Sequence, residues 1–100
     1  MDEGERQRLK AFYKELYFEI SEILFRHDPI GINFEDNTDE YEPEVSTILP
    51  RLASANSINE VRLIIYEEFV KWFDKDLAGP EEIYSDIAEE VWKAWQKWSK

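Results

Sequence analysis

The stretch Asp28-Pro-Ile-Gly-Ile-Asn-Phe-Glu-Asp-Asn-Thr-Asp-Glu-Tyr-Glu42 constrains this chain more than any other. It is the one long interruption in an otherwise helical pattern. Five acids lie between Glu35 and Glu42, in addition to Asp28, and no base occurs up to Glu44. Connections of roughly 15 residues are uncommon inside compact domains and usually carry function or disorder. Any fold for this chain has to place apolar helices on both sides of that segment.

The flanking segments predict four helices. The first runs from about residue 4 to Arg26. At about 100° per residue, Leu9, Phe12, Tyr13, Leu16, Ile20, Ile23 and Leu24 share one face. Pro29 disfavours helical geometry at Asp28 and ends the helix there. Ala11, Phe18 and Phe25 form a second stripe with a seven-residue period on the opposite side, to be covered by the long loop or by a partner. Within the loop, Ile30, Ile32 and Phe34 alternate with Gly31 and Asn33. With no second strand to pair with, that pattern predicts an extended segment pinning apolar side chains onto the helices. Gly31 allows a backbone angle that other residues resist.

Pro43 suits the first turn of the second helix, which buries Val45, Ile48, Leu49 and Leu52. Pro50 predicts a kink or break. Ser57-Ile-Asn-Glu60 reads as a capping box, with Glu60 reaching back to the Ser57 amide. It opens a third helix, to about Phe73 or Asp74, that is apolar around most of its circumference. Such a helix is expected to be the most enclosed one. Gly79-Pro80 breaks the chain, and a fourth helix spans about Pro80 to Trp98. Its stripe is Ile83, Tyr84, Ile87, Ala88, Val91, Trp95 and Trp98, with Trp92 at the edge. The expected fold is all-α: one domain over 1–100, a compact four-helix bundle-like unit with the 28–42 loop packed across it.

Composition narrows the function classes. Twelve Lys and Arg stand against 23 Asp and Glu, a net charge of −11. That balance opposes phosphate and nucleic-acid binding and anionic membranes, and favours attraction to a basic partner. No cysteine occurs, so thiol chemistry and disulfides are excluded. The charged N-terminus is not a secretory signal, and no apolar run has the length of a membrane span. The expected setting is the bacterial cytoplasm.

No catalytic constellation, cofactor motif or metal-ligand set emerges. From Asp36 the EF-hand pattern fails, with Tyr41 where Gly is required and Thr47 where Glu is required. Zinc needs more His or Cys than His27 alone supplies. His27 is read as a partly buried residue that hydrogen-bonds the loop and terminates its helix.

Asp28-Pro29-Ile30-Gly31-Ile32 followed by Asp39-Glu40-Tyr41 resembles a motif in a family of small, uncharacterised bacterial helical proteins. The family's pattern often has Trp before the Asp, where this chain has His27. The resemblance implies a small helical fold and supplies no activity, so no catalytic residue carries over. Physically, Asp28 can cap its own turn, and Tyr41 can bury its ring while hydrogen-bonding across the loop.

The leading functional expectation is a non-enzymatic, acidic protein-binding or regulatory domain. In its sharpest form it resembles a toxin-immunity protein steered onto a basic partner. The candidate binding residues are Asp28, Gly31, Asp36, Asp39, Glu40, Tyr41, Phe18, Phe25 and Trp92, with Trp92, Phe18 and Tyr41 as exposed anchors. The alternatives are a small metal- or ligand-binding domain or enzyme using the acidic loop, and a structural homodimer formed through Phe18/Phe25 or the Trp-rich helix.

Overall fold

The computed structural model describes residues 3–31 and 41–99. Among the described residues there are six α-helices and no strand, so the fold is all-α. The helices are α1 (Glu3–Tyr13), α2 (Glu15–His27), α3 (Glu42–Leu52), α4 (Ile58–Phe73), α5 (Lys75–Ala78) and α6 (Ser85–Ser99). A 3-10 turn, Glu81–Tyr84, leads into α6. Helix α4 is central, packing against α3, α5 and α6, while α2 packs on α3 and α6.

The expected first helix is two helices. Lys14 breaks it with φ 54° and ψ −122°, a conformation that suits glycine and costs other residues about 1–3 kcal/mol. The register changes across the break. Tyr13 and Leu16 are buried on either side of it, but Phe12, expected on the core face, is 66% exposed. Pro50 does not break its helix; α3 continues to Leu52 with Pro50 exposed in its last turn.

The capping box at α4 forms with one change. Ser57 Oγ accepts the Glu60 amide at 3.2 Å, but Glu60 Oε1 reaches the Asn56 amide at 3.0 Å rather than that of Ser57. Nor is α4 enclosed all round. Val61, Ile65 and Phe69 are fully buried, while Ile58, Leu63 and Trp72 are exposed.

Three tyrosines fasten this core. Tyr17, Tyr41 and Tyr84 are completely buried. A buried phenol needs a partner, because an unmade hydrogen bond there costs about 1–3 kcal/mol. Each phenol ties two parts of the chain together. Tyr17 donates to the Glu42 carbonyl at 3.2 Å and lies 3.1 Å from Ser46 Oγ, joining α2 to the start of α3. Tyr84 donates to the Ala78 carbonyl at 2.6 Å, fixing the turn between α5 and the 3-10 segment. Tyr41 closes the loop, as described below. Phe69 stands between two of them, with ring centroids 5.9 Å from Tyr41 and 5.3 Å from Tyr84.

Candidate functional site

The loop of residues 28–41 leaves α2 through a left-handed turn. Asp28 adopts φ 48° and ψ 57°, its amide still bonded to the Leu24 carbonyl. Gly31, at φ 77°, donates its amide to the Asp28 carbonyl at 3.1 Å. The Tyr41 hydroxyl donates to Asp28 Oδ1 at 2.7 Å and accepts the Ile30 amide at 3.3 Å. Asp28, Gly31 and Tyr41 are thus brought together as the two ends of the loop. Asp36, Asp39 and Glu40, and the expected extended segment at Ile32 and Phe34, lie outside the described residues.

This geometry corrects two of the expected anchors. Tyr41 is fully buried with its ring stacked on Phe69, so it cannot reach a partner. Trp92 is half-buried and packs on the core, because α6 turns that edge toward its neighbours. Phe18 is 54% exposed, with its ring 5.7 Å from Tyr17 and Lys10 Nζ 5.9 Å away; Phe25 is half-buried.

Among the described residues His27 hydrogen-bonds Glu90 of α6 rather than the loop; most of the loop lies outside the described residues. His27 Nε2 is in direct contact with Glu90 Oε2, and Arg26 adds a 2.9 Å bridge to the same carboxylate. Arg26 first, then His27, hold the Glu90 carboxyl below its ordinary range. A groove of about 580 Å³ lies between α2 and α6 here, lined by Glu19, Glu22, Arg26, Glu90, Lys93 and Lys97 among others. Its charges are matched: Arg26 also bridges Glu22 at 3.1 Å, and Lys97 bridges Glu19 at 3.3 Å. The cluster is a seam between helices. Among the described residues no group of three or more His, Cys, Asp or Glu could hold a metal ion.

A second charged seam joins α3 to α4. Arg51 bridges Glu67 at 2.7 Å and Glu68 at 2.8 Å, and Lys71 adds a bridge to Glu68. Burial pushes the Glu68 carboxyl up, but hydrogen bonds from Arg51, Thr47 and Lys71 outweigh it and hold the group low. Both seams are ion-pair networks that tie neighbouring helices together.

A different surface emerges at residues 74–90. Seven acids occur there, Asp74, Asp76, Glu81, Glu82, Asp86, Glu89 and Glu90, against Lys75 alone. Asp76, Glu82 and Asp86 are exposed and make no ion pair among the described residues. Two large apolar side chains stand among them, Leu77 at 57% and Ile83 at 45% exposure. Gly79, at φ 75°, turns the chain between them, and a methyl group there would sit 3.3 Å from Ile83 Cδ1. The Asp74 side chain caps α5 through the Leu77 amide at 2.8 Å, and Arg62 ties Glu81 to α4 at 3.0 Å. The Arg62–Glu81 pair therefore fastens the middle of the edge to α4.

The sequence reading missed this surface. It counted Ile83 in the core stripe of a helix beginning at Pro80. Residues 81–84 form a 3-10 turn instead, which advances about 120° per residue, and Ile83 falls outside the stripe. The available signal was the run of acids on both sides of Leu77 and Ile83.

No helix of the described residues is long and apolar enough to cross a membrane. Comparison with protein-family models, curated proteins and solved structures gives no match for this chain.

Proposed function

We propose that this chain is a non-enzymatic protein-binding domain whose working surface is the acidic edge of residues 74–90, and that its partner presents a basic, partly apolar face. The observation that carries this reading is the exposure of Leu77 and Ile83 beside Asp76, Glu82 and Asp86, three exposed acids that make no ion pair among the described residues. Exposed apolar side chains ringed by one sign of charge suit an interface with apolar anchors at the centre and charges at the rim. The net charge of −11 adds long-range attraction for a basic partner.

In this reading the carboxylates accelerate encounter and Leu77 and Ile83 hold the complex. The two contributions separate experimentally. Rim charges act mostly on the association rate and its salt dependence, while buried anchors act on dissociation. Titration with a synthetic amphipathic Lys/Leu helix, followed through the intrinsic Trp fluorescence, tests both. Binding is expected to weaken steeply with salt. Leu77→Ala/Ile83→Ala is expected to lose about tenfold or more in affinity, equivalent to ~1.4 kcal/mol. Equal binding by wild type and variant rejects the edge as the surface.

A further inference from the structure

Residues on both sides of Lys14 carry one helical pattern, yet the chain is bent there. Nothing local demands the bend: Lys10, Ala11, Glu15 and Leu16 are good helix formers, and neither glycine nor proline is near. Lys14 instead holds φ 54° and ψ −122°, a pairing typical of glycine in tight turns. The bend leaves Phe12 66% exposed, with its ring 6.0 Å from that of Trp98. In a continuous helix Phe12 would align with Leu16, Ile20 and Ile23.

We infer that α1 is an exchangeable segment, and that two copies of this chain pair by straightening at Lys14 and trading α1. As one helix, the residues of α1, Lys14 and α2 would span about 37 Å at ~1.5 Å per residue. The longest dimension of the molecule is 33 Å. A straightened α1 therefore projects past its own globule and uncovers Leu9 and Tyr13, which now pack against the core. A second copy supplies the matching cover, because its own α1 has left an identical seat. There Lys10 meets Glu42, a 2.8 Å ion pair within one chain at present, and Tyr13 meets Trp98, now 5.1 Å away. The exchanged pair recovers these contacts and relieves the backbone at Lys14. Exchange of an identical element needs no new interface chemistry.

Charge gives the pairing a signature. Two copies at −11 repel, and salt screens that repulsion. Pairing should therefore strengthen with salt, opposite to the binding of a basic partner at the acidic edge, so the two readings fail independently.

The test mixes isotopically labelled and unlabelled chains, refolds them together at high concentration and high salt, and measures mass by light scattering. A zero-length carbodiimide then links Lys10 to Glu42. The expected result is a dimer fraction in which Lys10–Glu42 links join labelled to unlabelled chains. Lys14→Gly, which accepts the bend, should lower the dimer fraction about tenfold. Lys14→Ala, which favours helix but not a positive φ, should raise it. Wild type and Lys14→Ala that both stay monomeric under these conditions overturn the inference. So do dimers whose Lys10–Glu42 links always stay within one isotope.

Discussion

Tyr41 and Asp28, 13 residues apart, meet through a 2.7 Å hydrogen bond that closes the long loop at its base. The phenol is buried and stacked on Phe69, so the bond joins the loop to the centre of the core. Tyr41→Phe should cost about 1–2 kcal/mol, since it leaves the Ile30 amide and the Asp28 carboxylate without this partner. Asp28→Ala combined with Tyr41→Phe should cost less than the sum of the two changes. Chemical denaturation of the four proteins measures that coupling, and strict additivity would show that the bond contributes nothing.

Stability should fall on acidification through Glu68 and Glu90. Both carboxyls titrate below their ordinary range in the folded chain, so the unfolded chain binds more protons as pH drops. Their contribution is complete above the unfolded value near 4.5 and is lost as pH falls through the lower folded values. Glu68→Gln should be less stable at neutral pH by about 1–3 kcal/mol, because Arg51 and Lys71 lose a buried partner. The gap from wild type should narrow below pH ~4. Denaturant midpoints across the acid range read this directly.

The alkaline limb should belong to Tyr84. Burial first, and then Tyr66, raise its hydroxyl from 10.0 to about 12. A raised folded value means that the contribution is complete below pH 10 and is lost as pH rises through about 12. Tyr84→Phe should flatten that limb, while costing about 1 kcal/mol at neutral pH through the lost bond to the Ala78 carbonyl. A thermal melt series from neutral to strongly alkaline pH makes the comparison.

Gly79→Ala should strain the acidic edge. The residue sits at φ 75°, and an added methyl group would press on Ile83 Cδ1 at 3.3 Å. A loss of roughly 1–2 kcal/mol is expected, with shifted resonances for Leu77 and Ile83. Unchanged stability and unchanged resonances would contradict the turn geometry.

Local chemistry made much of this fold legible. Ser57 marked the start of α4, and Pro29 and Gly31 marked the exit from α2; of the two readings of Tyr41, the buried ring that hydrogen-bonds across the loop holds and the exposed anchor does not. Three features were not legible, each for a physical reason. The bend at Lys14 lies in a run of helix formers, where tertiary packing overrides propensity. The Glu90 bridge to His27 joins residues 63 apart, which no local pattern encodes. The exposure of Ile83 depends on a short 3-10 turn that differs from an α-helix by about 20° per residue. The sequence drew attention to the acids of the loop. The better-supported surface lies at Leu77 and Ile83, two exposed apolar side chains set among acids.

The most direct test of that surface is amide and methyl NMR mapping during titration with a basic amphipathic helix. The account predicts shifts centred on Leu77, Ile83 and Asp86 that fade as salt is raised. Shifts centred elsewhere, or no shifts at low salt, would contradict it.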